Sequence, residues 1–327
     1  MITRAIYRAI SIPGAPAPYD RASLKLYYPA RRQDTEEERN TGVVAADTSG
    51  TPFPVVIMMP GINVGPEAYG WLARHLAGQG VVTVTYTLIA EEMPGYISLT
   101  PGLSLAALAP GSCGRQPSAT AVAPILEDLA KVNDKGVLAG KLDLARVVLG
   151  GHSAGGTVAL LNARPDWFPG VCAAFSYGAH TGAATALGYA ADSMFDTPSQ
   201  LPTLIMGGSR DGCIANSGAR YGEGDASTSG RVEKTFDVAL SSSRGDCYLA
   251  VIEGANHFSL AWPLDDTTGR PFIDLPTTEP DESLRQLLAE LIGQFVRASC
   301  TGDTHARSSL EQSLLQGHPL VKRGARR

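Results

Sequence analysis

A chain of 327 residues, 44% hydrophobic and 18% charged, holds enough apolar side chains for a substantial core, which excludes a disordered polymer. Its 27 Lys and Arg against 32 Asp and Glu give a net charge of -5, without the basic footprint of a nucleic-acid binder. The 36 Gly and 22 Pro follow no period, which excludes collagen-like and solenoid repeats, and no apolar run reaches the ~18 residues of a membrane-spanning helix.

Two short strands are expected over 6–12 and 24–28, separated by Pro13-Gly14-Ala15-Pro16. The first residues lack the charged, apolar and small-residue succession of a signal peptide, so a cytoplasmic location is expected, or a secreted one if a leader has been trimmed. Residues 31–52 turn charged and then small and polar, and read as an exposed insertion. Val55-Val56-Ile57-Met58-Met59, stopped by Pro60-Gly61, has the continuous apolar character of a strand covered on both faces. A helix from about 66 to 78 presents Trp71, Leu72, His75 and Leu76 on one face, with Gly80 as its stop, and a buried strand follows over 81–85.

Residues 88–117 are apolar but aperiodic, the signature of a lid or pocket loop. Val122, Ile125, Leu126, Leu129 and Val132 then recur at helical spacing, ahead of a strand over 146–149 and a helix through Leu161. Further strands are expected over 171–177, 203–206 and 248–252. The last helix begins near Asp281, with Leu284, Leu287, Leu288, Leu291, Ile292, Phe295 and Val296 in register. Strands alternating with helices predict an α/β fold: one domain over 1–300, with a mostly parallel sheet covered on both faces. From 301 the chain loses hydrophobicity and ends KRGARR, which predicts a mobile, solvated tail over 301–327.

Five scattered cysteines, with no C-x-x-C pair, suit neither a disulfide scaffold nor a zinc site; Cys213 and Cys247 are left either bridged or as buried free thiols. No two histidines have helical metal-ligand spacing, and neither a metal nor a cofactor is expected.

The chemistry concentrates in Gly151-His152-Ser153-Ala154-Gly155, the single G-x-S-x-G of the chain, which follows an apolar strand and opens a helix. A serine on so sharp a turn needs small residues two positions before and after, and Gly151 and Gly155 supply them. The helix N-terminus beneath it favours developing negative charge. Ser153 needs a base to become a nucleophile. Of His75, His152, His180, His257, His305 and His318, His257 is placed best, just past a late strand and before the final helix; His180 is the alternative. Asp211, after a buried strand and a glycine turn, completes the order Ser, Asp, His, with Asp246 and then Glu253 as rivals. Two backbone N–H groups would hold an oxyanion: Ala154, next to the nucleophile, and Ile62, in the turn Pro60-Gly61-Ile62-Asn63. Asn63, Phe258 and Met93 are the expected substrate contacts.

Met59-Pro60-Gly61-Ile62, the run His75-Leu76-Ala77-Gly78-Gln79-Gly80-Val81-Val82, Gly151-His152-Ser153-Ala154-Gly155-Gly156, Asp211 and His257 together resemble the α/β-hydrolase superfamily. The pattern is similar to its dienelactone-hydrolase-like branch, which contains chlorophyllases and cutinase-like polyester hydrolases. The resemblance covers roughly residues 53–300. The chain departs from it at Ala154, where chlorophyllases often carry Arg and cutinase-like enzymes Met, and in segments 88–117 and 212–246. It implies a carboxylic ester hydrolase working through an acyl-enzyme on a hydrophobic small-molecule or polymeric ester. The same triad would also serve a thioesterase, an amidase or an acyltransferase; a binding module on a dead scaffold would usually have lost one of the three residues.

Overall fold

The computed structural model describes residues 1–93, 95–222 and 227–327, apart from the side chains of residues 92 and 93. Among the described residues the strands are β1 (Ile2–Ser11), β2 (Arg21–Ala30), β3 (Phe53–Met59), β4 (Val82–Met93), β5 (Tyr96–Leu99), β6 (Leu142–His152), β7 (Val171–Tyr177), β8 (Thr203–Gly208), β9 (Cys247–Ile252) and β10 (Val321–Arg326). The α-helices are α1 (Glu36–Thr41), α2 (Gly70–Gly78), α3 (Val122–Asp134), α4 (Ala154–Asn162), α5 (Gly212–Ala215), α6 (Gly230–Lys234), α7 (Asp281–Thr301) and α8 (Thr304–Leu315).

The sheet order is β1-β2-β4-β3-β6-β7-β8-β9-β10, with β5 hairpinned onto β4. From β4 to β9 all neighbours are parallel; β1, β2 and β10 add antiparallel margins. Every residue of β3 is buried. Its side chains alternate as strand geometry requires. Val55, Ile57 and Met59 join the core under α3 and α4, while Val56 and Met58 join the core under α2 and α7. Both faces are therefore covered, which is why the strand reads as an unbroken apolar run.

The connection from β3 runs through α2 to β4 on one side; the next crosses back through α3 to β6 on the other. Chains leaving the adjacent ends of β3 and β6 thus depart to opposite faces and open a crevice at the carboxyl edge. Register pairs Met59 with Gly151, which brings the turn after β3 beside Ser153. The broad face of α7 closes the second core with Leu284, Leu288, Leu291, Ile292 and Val296, each essentially inaccessible to solvent. Burial of such side chains contributes about 1.5–3 kcal/mol apiece.

Two expectations are corrected, for 301–327 and for 31–52. The segment 301–327 is not a loose tail: α8 buries Leu310 and Leu314 in the second core, and β10 pairs antiparallel with β9. The basic residues at its end are paired, though partly exposed. Arg323 forms ion pairs with Glu233 and Asp237, and Arg327 donates to the carbonyls of Phe236, Asp237 and Leu240. Lys and Arg are common on a sheet edge because they discourage further strand pairing. Within 31–52 the first part, including α1, is exposed apart from a half-buried Glu38, but Val44, Ala46 and Asp47 are buried, and Ala46 bridges to Ala30. Cys213 and Cys247 are both free thiols. At the start of 88–117, β4 continues to Met93 and pairs back with β5 over Tyr96–Leu99; beyond it Leu103 bridges to Ala119. Among the described residues no helix is long and apolar enough to cross a membrane.

Candidate active site

Ser153 follows the last residue of β6 and precedes α4 with φ 54° and ψ -125°, a left-handed backbone rare for a residue with a Cβ. The neighbouring glycines explain how the turn closes. A Cβ on Gly151 would lie 2.2 Å from the carbonyl oxygen of Gly155, and one on Gly155 would lie 2.3 Å from that of Met59. No side chain fits either place. The Ser153 N–H donates to the Tyr177 carbonyl (2.9 Å), so the bend is tied to the end of β7.

The elements expected to carry the base and its orienter converge on this turn. Ser153 Oγ lies 2.9 Å from His257 Nε2, and His257 Nδ1 lies 2.8 Å from Asp211 Oδ2. With the Nδ1 proton donated to the carboxylate, Nε2 is the acceptor for the serine O–H. Asp211 is fully buried; its Oδ1 accepts the Ile214 N–H (2.8 Å) and caps α5, which fixes the carboxylate. Gly178, at φ +60°, leaves room above the pair: a Cβ there would stand 3.0 Å from His257 Nδ1. Burial opposes charge on His257, but the Asp211 charge and hydrogen bond, helped by Asp274, outweigh it and raise the imidazole above its ordinary value. Such an arrangement can draw a proton from the serine hydroxyl and hold it on the imidazole.

The turn after β3 lies against Ser153, since a Cβ on Gly61 would sit 3.2 Å from the serine Cβ. Among the described residues neither the Ile62 nor the Ala154 N–H is taken up by a turn or cap hydrogen bond. Asn63 adopts φ 57°, and its Oδ1 accepts the Leu99 N–H (3.0 Å), so its side chain braces β5. Asn63 and Phe258 both line a cavity of about 120 Å³, along with Val64, Ala68 and Leu264. Glu67 and Asp265 stand at the same cavity. Phe258 meets the His257 ring edge-on at 5.1 Å. Met93 ends β4, and its side chain lies outside the described residues.

The other candidates are placed elsewhere. Asp246 pairs with Arg244 (2.9 Å) and Glu253 with Lys322 (3.7 Å). His75 accepts from Gln79 Nε2 (2.8 Å), His318 accepts the Leu320 N–H (3.1 Å), and His305 lies exposed on α8. His180 accepts the Gly182 N–H at Nδ1 (3.0 Å); burial and the nearby Arg231 charge push it down to about 3.

Three residues around the site, Tyr69, His152 and Asp274, have partners that sequence reasoning did not supply. His152 turns away from the crevice: Gly61 N–H donates to the Tyr69 hydroxyl (3.0 Å), which donates to His152 Nδ1 (2.9 Å), and His152 Nε2–H donates to the His257 carbonyl (2.9 Å). This relay links the turn after β3 to the backbone of His257. Burial and the neighbouring His257 push His152 down to about 3, so it stays neutral. Asp274, a lone acid in a proline-flanked loop, accepts the N–H groups of Gly212 (2.8 Å) and Phe258 (3.3 Å), tying the Asp211 loop to the His257 loop. Burial raises its carboxyl above the ordinary value.

Asp211, Cys213 and His257 offer ligand atoms within 4.8 Å of one another. The first and last already satisfy each other, and burial with the Asp274 and Asp211 charges pushes the Cys213 thiol up to about 12, far from the thiolate a metal would take.

A ferulic acid esterase from Streptomyces cinnamoneus is similar in structure, with a TM-score of 0.55 at 16% sequence identity over 92% of this chain and 90% of that one. No protein-family model matches the sequence, and no curated protein does. The likeness shows the expected fold class, an α/β-hydrolase fold with a mostly parallel central sheet and helices on both faces.

Proposed function

We propose that this chain is a serine-dependent carboxylic ester hydrolase. The observation that carries the reading is the continuous hydrogen-bonded run from Ser153 Oγ through His257 to Asp211, at 2.9 and 2.8 Å, beginning on a residue held at positive φ. In this reading His257 Nε2 takes the serine proton as Oγ attacks the ester carbonyl. The Ile62 and Ala154 N–H groups receive the oxyanion, and the imidazolium then protonates the departing alcohol. Water, activated by the same imidazole, releases the acid from the acyl-enzyme. Asp211 fixes the ring tautomer and stabilises the transient positive charge.

The substrate class is a hydrophobic ester, chlorophyllase-like or polyesterase-like in character. Phe258, Val64, Ala68 and Leu264 supply the apolar part of the wall beside the site, and Ile89, Tyr96 and Ile97 stand exposed on the β4–β5 hairpin. The esterase activity named for the structural neighbour adds aryl-acid esters to the set to be compared.

Fluorophosphonate labelling beside a panel of p-nitrophenyl esters and a methyl hydroxycinnamate tests the reading. Labelling on Ser153 and a kcat/KM that grows from acetate to longer acyl chains are expected. Ser153→Ala should lower kcat by ~10⁴-fold or more and abolish the label. A Ser153→Ala protein that still turns over, or a wild type that never labels, overturns the proposal.

A further inference from the structure

We propose that Cys172 and Cys300 form a disulfide that staples α7 to the sheet under oxidising conditions. The inference is independent of the role given to Ser153. Cys172 lies near the start of β7 and Cys300 near the end of α7, and their sulfur atoms meet at 3.5 Å across 128 positions of sequence. Among the described residues all five cysteines are free thiols. Cys213 and Cys247 direct their thiols to the carbonyls of Arg270 and Leu201 (3.7 Å each).

The pair is unequal in a way that suits exchange. Cys172 is partly exposed, whereas Cys300 is buried behind it. With the Cys300 thiol as donor, its bond to the Cys172 sulfur, against burial and with help from the Arg146 charge, shifts Cys172 toward the thiolate. Arg146 is itself anchored by Asp143 (2.6 Å) and reaches the Cys300 carbonyl (3.4 Å). An accessible thiolate with a second thiol touching it is the arrangement that thiol–disulfide exchange uses.

With a small disulfide oxidant such as oxidised glutathione, the Cys172 thiolate attacks one sulfur and breaks the S–S bond, releasing the first thiol and leaving a mixed disulfide. Cys300 loses its proton and attacks the Cys172 sulfur, forming the intramolecular bond and expelling the second thiol. Two electrons pass from the protein to the oxidant, and the two protein protons end on the two released thiols. The closed loop contains both Asp211 and His257, so the bond would restrain the half of the molecule that delivers them. It would not touch the reacting atoms. Ser153 is bonded to Tyr177, five residues beyond Cys172 along β7, or ~16 Å away at the rise of a strand.

The reduced full-length protein would be treated with oxidised glutathione and its thiols counted after denaturation, with linked peptides mapped without reduction. The count should fall from five to three, with Cys172 joined to Cys300. The melting temperature should rise by roughly 5–10 °C, and ester hydrolysis at 25 °C should change less than about twofold. Cys172→Ser and Cys300→Ser should each abolish the gain, and Cys113→Ser should keep it. Five surviving thiols, a different linked pair, a dimer joined between chains, or the bond formed without a rise in melting temperature would each overturn the proposal. The mapping and melting of the wild type decide it even if a variant does not fold.

Discussion

Two imidazoles at the carboxyl edge lie with ring centroids 5.0 Å apart, both buried, and meet opposite fates. His152 has a tyrosine hydroxyl on one nitrogen and a carbonyl on the other. The carbonyl compensates a positive charge only in part, and burial together with the neighbouring His257 pushes the ring down to about 3. His257 suffers the same burial, but it faces the Asp211 carboxylate directly and Asp274 at longer range, and it is raised instead. Burial alone makes an imidazole an inert spacer. Burial with a carboxylate makes one that can accept a proton inside the protein, at 1.36 kcal/mol for each pKa unit gained.

The strongest way to break that contrast is to give His257 surroundings like those of His152. Asp211→Asn removes the charge, while its amide oxygen can still accept the Ile214 N–H that caps α5, so the fold should survive. In the proposed mechanism kcat should fall by ~10³–10⁴-fold, measured on a p-nitrophenyl ester with melting temperature as the control. A loss under about tenfold would move the orienting role away from Asp211.

The contrast also predicts opposite pH dependences of stability. His152, with His180, binds a proton near pH 6.5 when unfolded but only near 3 when folded, so each withdraws stability as the pH falls from 6.5 toward 3. By pH 4.5 the loss should be roughly 2–3 kcal/mol per ring at 1.36 kcal/mol per unit. The raised His257 contributes stability below pH 6.5 and loses it as the pH climbs through its folded value. Imidazole NMR shifts followed beside urea midpoints check both. A His152 signal that titrates near pH 6 would erase the distinction between the two rings.

Much of this was legible in the sequence wherever one local requirement dominated. The run from Val55 to Met59 announces a strand covered on both sides, and Gly151 and Gly155 flank Ser153 because any Cβ there would strike backbone. His257 and Asp211 could be picked out because each follows a buried strand at the edge where Ser153 emerges. What escaped depends on contacts that no local pattern encodes. His152 is spoken for by Tyr69, which is 83 positions away, and Asp274 acts through N–H groups of two other loops. The basic end looked solvated because its partners, Glu233 and Asp237, are remote in sequence, while Leu310 and Leu314 give too thin a stripe to announce a packed helix.

The finest adjustment of the contrast lies in Asp274. In the proposed mechanism His257 acts as a general base only when neutral, so kcat/KM should rise with pH through its folded value, which lies above 6.5. Asp274 adds to that elevation through its charge alone, because its oxygens are occupied by the N–H groups of Gly212, Leu275 and Phe258. Asp274→Asn keeps an acceptor for the shorter of these bonds and removes the charge. The acidic limb should therefore move to lower pH by up to about one unit, with the plateau at pH 8 to 9 changed only a few-fold. An unmoved limb would mean that the Asp274 charge does not reach the ring. A plateau lowered by ~10³-fold, beside a mild Asp211→Asn, would instead make Asp274 the carboxylate on which His257 depends.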